Sequence, residues 1–343
     1  MKKCSPLISK AICFTSLFLS LPYLHAKGNL TLYCTLQNSA CEEMVKRFSD
    51  KYQINTKFVR SSTGVTLGKI KAEKDNPQAD VWYGGTLEPH LQARTLGLLE
   101  AYRSPKQAEI RPQFQHIIEK YGDYTSFGYM LILGLGINTE KLHKLGIEEP
   151  KCWQDLLDPR LKDELQLPDP QSSGTAYSFI ATLIQLWGEE KAFDFLKKLD
   201  KNVSQYVKTG LVTQNLSRGD TAVSVGFLHT FEQEKAKGAP IKTIPVCEGD
   251  SYALGGLSII KNARNLDNAK LFVDWVLSKE GQEVDWIQQA PYQIPTNKHT
   301  ELPANAILPS TLNLFDLDFE RFGSSQEAKR IIERWLKEVR LSQ

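Results

Sequence analysis

Four clusters of small polar residues carry most of the chemistry in this 343-residue chain: Ser61-Ser62-Thr63-Gly64, Gly84-Gly85-Thr86, Ser172-Ser173-Gly174-Thr175 and Lys208-Thr209-Gly210. Each lies between an apolar run and a helix-forming run. The first backbone N–H groups of a helix have no intrahelical acceptor, and the helix dipole is positive there. Such a turn therefore suits an anion. The hydroxyls add donors, and Lys208 adds a charge. A single Ser or Thr at a helix start is ordinarily a cap, so the argument rests on several such turns meeting at one cleft. Gln37, in the Thr35–Asn38 turn, belongs with them.

Two further polar residues adjoin apolar runs. His229 follows the run ending at Phe227, and Glu248 precedes the one starting at Leu254. An imidazole and a carboxylate both accept hydrogen bonds from the hydroxyls of a polyhydroxylated ligand. Trp82 and Tyr83 offer ring faces to a sugar, although aromatic residues in a strand usually serve the core.

The elements that must position these residues alternate. Leu30–Thr35, Ile54–Val59 and Ala79–Tyr83 read as strands, each followed by a helix; Ser39 with Glu42 reads as a capping box for the first. This order implies a mostly parallel sheet covered on both faces, with ligands bound beyond the carboxyl ends of the strands. Phe127–Asn138 is too short to span a bilayer as a helix and reads as a long strand passing between two lobes. Leu165–Leu167, Thr221–Phe227 and Ile241–Pro245 are strands of the second lobe, with helices over residues 172–187 and 191–199 between the first two. Leu254–Ile260 is a return crossing, and the mainly helical remainder packs back on the first lobe.

Lys2, Lys3 and Lys10, the apolar run Ala11–Leu21 and the turn Pro22–Ala26 form the three parts of a secretory leader, cut near Ala26. Neither Cys4 nor Cys13 sits in a lipid-attachment context. Losing three lysines and no acid takes the formal charge from +2 to −1, which points away from nucleic acid and from anionic membrane surfaces. Export permits disulfides. Cys34 and Cys41 are expected to bond across a short loop, a contribution of about 2–3 kcal/mol. Cys152 and Cys247 are left open between a second bridge and free thiols. No Cys-x-x-Cys spacing supports zinc, and Gly-x-Ser-x-Gly, His-Glu-x-x-His and phosphate-loop signatures are absent.

The segments Ala79–Thr86, Pro89–Ala93, Ser173–Tyr177, Cys247–Gly249, Ser258–Lys261 and Tyr292–Asn297, with the Val203–Glu232 block, resemble bacterial extracellular solute-binding proteins of the ferric-iron type. The hexose-phosphate-binding branch matches best. Iron-binding relatives carry consecutive tyrosines where this chain has His229-Thr230-Phe231. The resemblance implies an α/β, type II periplasmic-binding-protein fold with two lobes, each with a mostly parallel sheet, joined by two hinge crossings. The expected division is 1–26 leader, 27–128 with 254–343 first lobe, and 129–253 second lobe. Phosphate would rest on N–H and hydroxyl groups, and sugar on a His-Asp pair and a Glu. His229 and Glu248 match the first and last, whereas Thr230 stands where Asp is implied and removes one acceptor. That leaves a sugar phosphate, a smaller organophosphate or a phosphonate.

The expected ligand set is Gln37, Ser61, Ser62, Thr63, Gly85, Thr86, Ser172, Ser173, Gly174, Thr175, Lys208, Thr209, His229 and Glu248. The expected protein is a periplasmic monomer without cofactor or catalytic residues. It delivers a small anion to an ABC permease of the inner membrane. Ferric iron binding is the first alternative, and an exported hydrolase using Ser173 and His229 the second.

Overall fold

The computed structural model describes residues 28–287, 293–302 and 307–341. The leader through Ala26, Cys4, Cys13 and Tyr292 lie outside these.

The strands are β1 (Asn29–Cys34), β2 (Asn55–Arg60), β3 (Val81–Thr86), β4 (Ser126–Asn138), β5 (Leu165–Pro168), β6 (Val203–Val207), β7 (Val223–Phe227), β8 (Ile241–Ile244), β9 (Asp250–Ile259), β10 (Ile294–Pro295) and β11 (Leu314–Phe315). The helices of the first part are α1 (Asn38–Tyr52), α2 (Thr63–Ala72), α3 (Leu87–Thr95), α4 (Gln115–Tyr121) and α5 (Thr139–Leu145). Then come α6 (Gly174–Trp187), α7 (Glu189–Leu199), α8 (Thr209–Arg218) and α9 (Leu228–Ala236). The last are α10 (Leu266–Leu277), α11 (Lys279–Ile287), α12 (Phe319–Phe322) and α13 (Ser325–Trp335).

The main sheet path is β2-β1-β3-β9-β4-β7-β5-β6. Two parallel blocks, β2-β1-β3 and β7-β5-β6, flank the antiparallel pair β9–β4. All 13 residues of β4 are buried. Its first half pairs with β9 and its second with β7 and β8, so one strand of roughly 43 Å serves both blocks. This is the two-lobed, crossing-strand fold anticipated from the alternation of apolar runs. No helix among the described residues is long and apolar enough to cross a membrane.

A continuous apolar core runs from Leu30 and Phe48 in the first block through β4 to Leu183 and Phe193 in the second. Helix α6 is buried along Gly174–Ile184 because it packs against β3, β5, β7 and β9 together. Tyr177 Oη donates to the Phe322 carbonyl at 2.8 Å, and Ser178 donates to buried Glu88 of α3 at 2.8 Å. Glu189 of α7 receives Arg321, Arg330 and Arg334. The guanidinium groups of Arg330 and Arg334 hold its carboxyl down at about 2. The C-terminal helices thus touch α3 of the first block and α7 of the second.

Some local expectations are corrected. The first helix begins at Asn38 with Gln37 at the N-cap, not at a Ser39–Glu42 box; Asn38 Nδ2 instead donates to Glu42 at 2.6 Å. The stretch 153–157, which from sequence resembles a helix followed by a turn, holds only a 3₁₀ turn at Gln154–Leu157, and strand β6 was not anticipated. None of its residues is buried, so it lacks the apolar run that marks the other strands. Trp82 and Tyr83 are core residues, 0% and 1% exposed, and offer no face to a ligand.

Candidate functional site

Between the two parallel blocks lies a cavity of ≈ 570 Å³. The chain builds it from strand ends. Strands β1, β2, β3, β6 and β7 each finish at its wall, and there α1, α2, α3, α8 and α9 begin. Helix α6 adds a sixth N-terminus with Gly174 and Thr175. The residues at the N-cap positions of the first five are Gln37, Ser62, Thr86, Lys208 and Phe227, and none closes a side-chain cap bond. Only Ser173, on α6, caps its helix, accepting from the Ala176 N–H at 3.3 Å. Serine and threonine here are therefore not spent as caps. Apart from the Gly64 N–H, taken by the Ser172 carbonyl, and the Leu211 N–H, taken by the Lys208 carbonyl, the first-turn amides of five helices, and the Ser62 and Thr86 hydroxyls, remain for something inside the cavity.

The fit is close. Gly84 and Gly85 both adopt left-handed conformations, φ +89° and +81°, in an irregularity of the β3–β9 ladder. A Cβ on Gly85 would stand 2.5 Å from Thr63 Oγ1, and one on Gly174 2.7 Å from Thr86 Oγ1. Thr86 is 2% exposed. Its Oγ1 lies near the Glu88 carboxyl without hydrogen-bonding geometry to it or to any other group. A buried hydroxyl without a partner costs stability unless a ligand or water supplies one.

The cations here are unbalanced. Arg60, the last residue of β2, donates from Nε to the Leu36 carbonyl at 3.0 Å. Its Nη2 lies at the start of α8, 3.9 Å from where a Gly210 Cβ would stand. Partial burial lowers its pKa, yet a guanidinium stays charged at neutral pH. Among the described residues neither Arg60 nor Lys208 forms an ion pair. The floor is different in character. His229, second residue of α9, stands with Tyr129 of β4 and Gln293 before β10. His229 Nδ1 and Gln293 Oε1 are enclosed without hydrogen-bond partners among the described residues. Desolvation pushes the imidazole down to about 3, so it is neutral and one ring nitrogen can accept from a ligand O–H or N–H. Thr230 Oγ1 donates to the Phe227 carbonyl at 2.7 Å.

The structure gathers Gln37, Ser62, Thr63, Gly85, Thr86, Gly174, Thr175, Lys208, Thr209 and His229 at this cavity. It does not bring four others to the wall. Ser61 Oγ pairs with Thr66 Oγ1 at 2.8 Å. The Ser172 carbonyl takes the Gly64 N–H at 3.2 Å. Ser173 Oγ receives Thr209 Oγ1 at 2.8 Å besides capping α6, and makes no bond to His229, so the imagined Ser–His pair is not assembled. Glu248 accepts the Trp153 and Gln154 N–H groups at 2.8 and 3.1 Å, because the 3₁₀ turn there has orphan amides of its own.

Arg60, Tyr129 and Gln293 line the cavity but were not anticipated; Asn38, of the anticipated Thr35–Asn38 strand end, lines it as well. For Arg60 a signal exists: it directly precedes the Ser61 cluster. Tyr129 and Gln293 arrive from the crossing and from a late strand, which no local pattern links.

Cys34–Cys41 is bonded as expected, and its bridge closes the β1–α1 turn that presents Gln37 and Asn38. Cys152–Cys247 is bonded too. Among the described residues the one cluster of possible metal ligands is Cys152, Cys247 and Glu248, and its two sulfurs are already joined to each other.

Comparison with known proteins agrees with this geometry. The periplasmic binding protein P5PA is 58% identical, with TM-score 0.90, over 92% of this chain and 100% of that one. AfuA of Actinobacillus pleuropneumoniae, solved with exogenous fructose 6-phosphate bound, is 53% identical, with TM-score 0.90 and the same coverage. Iron-bound HitA of Pseudomonas aeruginosa, at 22% identity and TM-score 0.75 over 89% of this chain and 98% of its own, shares the fold. Residues 77–320 match the family described as bacterial extracellular solute-binding protein, and the chain belongs to that family.

Proposed function

We propose that this protein captures a small phosphorylated solute, a sugar phosphate or a related organophosphate, in the periplasm and delivers it to an ABC permease of the inner membrane. The observation that carries the reading is the set of uncapped helix starts with unpaired Arg60 and Lys208 around one cavity. A phosphoryl group matches them in charge and in its number of acceptor oxygens. Neutral His229 and Gln293 on the floor suit the hydroxyl-bearing remainder. The fructose 6-phosphate bound to AfuA supports this ligand class.

Residues 27–128 with 254–343 form one lobe and 129–253 the other, and they close about β4 and β9. Ligand touching both lobes favours the closed form, since it binds that form more tightly. The protein acts as an exported monomer, with its leader cut near Ala26, and performs no turnover.

Native mass spectrometry of protein purified from a periplasm tests the reading. A co-purifying phosphorylated mass is expected, and titration calorimetry with that compound and with fructose 6-phosphate should give one-to-one binding. Absence of heat with sugar phosphates, other organophosphates and phosphonates would sink it.

A further inference from the structure

The Gly84-Gly85-Thr86 turn brings to the cavity a helix start, the unpartnered Thr86 hydroxyl and a glycine that clears Thr63. Two successive left-handed glycines are the most freely jointed backbone a chain can offer. A useful anion cradle needs them fixed, because each disordered amide must be ordered on binding.

What holds them is His90, in α3 and 0% exposed. Its Nε2 lies 3.0 Å from the Gly84 carbonyl oxygen. A carbonyl only accepts, so Nε2 carries the hydrogen and donates it. Nδ1 is then the acceptor, and the Ser258 hydroxyl donates to it at 2.8 Å. The ring lies on Trp82 with centroids 3.7 Å apart and planes 19° apart. On another side stands Gly256, where a Cβ would come 2.2 Å from His90 Cδ2. Burial pushes the imidazole down to about 3, so the ring stays neutral in a single tautomer over the physiological range. His90 does not line the cavity.

We propose that His90 is the positioning residue of the anion site. Its Nε2–H pins the Gly84 carbonyl so that Gly85 and Thr86 present their groups to the ligand, and Ser258 sets the tautomer that makes this possible. The proposal rests on the phosphorylated-solute reading for its functional consequence.

The test uses His90→Phe, which keeps a ring on Trp82 and deletes both nitrogens, and Ser258→Ala, which removes only the donor to Nδ1. The probes are amide hydrogen exchange in the ligand-free protein, and affinity and ³¹P shift with fructose 6-phosphate. His90→Phe should speed exchange at residues 84–86 about tenfold, the equivalent of one lost hydrogen bond, with the later amides of α3 unmoved. Fructose 6-phosphate should bind about tenfold more weakly, with a displaced ³¹P resonance, which a packing role alone would not produce. Unchanged exchange at 84–86, or unchanged affinity in a folded variant, overturns the proposal. If His90→Phe does not fold, Ser258→Ala decides: mixed imidazole tautomers by ¹⁵N spectroscopy with weakened binding support it, and mixed tautomers with wild-type affinity refute it. If wild-type protein ignores fructose 6-phosphate and every other phosphorylated probe, the ligand reading fails, while the exchange measurement still decides the role of His90 in the turn.

Discussion

Replacing Thr86 with Val should move stability and affinity in opposite directions. The side chains are nearly isosteric, and Val tolerates the extended backbone of the N-cap position, φ −79° and ψ 156°. In the empty protein Thr86 Oγ1 is buried and unpartnered. Such a hydroxyl costs about 1–3 kcal/mol. A methyl group there removes the cost, so the ligand-free variant should be more stable by about 1 kcal/mol, which is roughly 2 °C for a chain of this size. With a phosphoryl group bound, the hydroxyl would donate to a charged oxygen, an interaction of about 1.5–3 kcal/mol. Its loss should weaken binding by roughly 10- to 150-fold. Differential scanning calorimetry of the empty protein and titration with fructose 6-phosphate read the two effects separately. Thr86→Ser, which keeps the hydroxyl, is the control. A Val variant that melts lower and binds as before would mean that Thr86 Oγ1 faces a structural partner, and the cavity's claim to that hydroxyl would fail.

Three further expectations follow from other parts of the molecule. Asp250 is buried and its carboxyl is pushed up to about 7, chiefly by desolvation, from an ordinary value of 3.8. The folded state therefore holds a proton that the unfolded chain releases, and stability falls as pH rises from about 4 through 7 and then levels. Asp250→Asn keeps an acceptor for the Val246 N–H without that loss, so the variant should gain on wild type by about 2 kcal/mol between pH 4 and 8 in urea melts, with about 4 kcal/mol as the ceiling; a constant gap refutes this. Alanine in place of both Cys152 and Cys247, 95 residues apart, should cost about 4–5 kcal/mol, against about 2–3 for Cys34 and Cys41, seven apart; the reverse order of melting temperatures would contradict the loop-entropy argument. Arg60→Met should weaken fructose 6-phosphate about tenfold and flatten the dependence of affinity on salt, since a part-exposed charge is screened; an unaltered salt slope would remove Arg60 from the site.

The fold was legible because its signal is local. Alternating apolar runs give β-α-β order, and the 13-residue run at β4 is longer than any one block needs, so it had to serve both. The turns that meet at the cavity were legible for the same reason: Ser62, Thr86, Gly174 and Thr209 each sit where a strand ends and a helix starts. Side-chain direction at those turns was not legible. Ser173 and Ser62 occupy equivalent positions in sequence, yet Ser173 turns back to cap α6 and Ser62 does not. Glu248 follows a family pattern, but the amides of residues 153 and 154, nearly a hundred residues away, claim both its oxygens. No short window contains that competition. Arg60 was not legible from its position, because the guanidinium of so long a side chain reaches beyond its own turn to the start of α8.

The His229-Thr230-Phe231 segment shows why this wall suits an anion better than a ferric ion. A hard trivalent cation wants several anionic oxygens. Here position 229 is a neutral imidazole, and the Thr230 hydroxyl is committed to the Phe227 carbonyl. The Phe231 ring lies over Gly136 and Gly226, where added Cβ atoms would come within 2.4 and 2.9 Å of it. None of the three supplies negative charge. Across the cavity stand Arg60, Lys208 and the positive ends of six helices, with no carboxylate paired to either cation among the described residues. Glu234, the carboxylate of the lining, is paired with Lys237, so a cation entering this space would meet the positive helix starts and two cations without an acidic partner. An anion would complete hydrogen bonds that the chain leaves open, and its charge would offset the field that those helix starts create. Which sign is bound depends on a few residues at the turns.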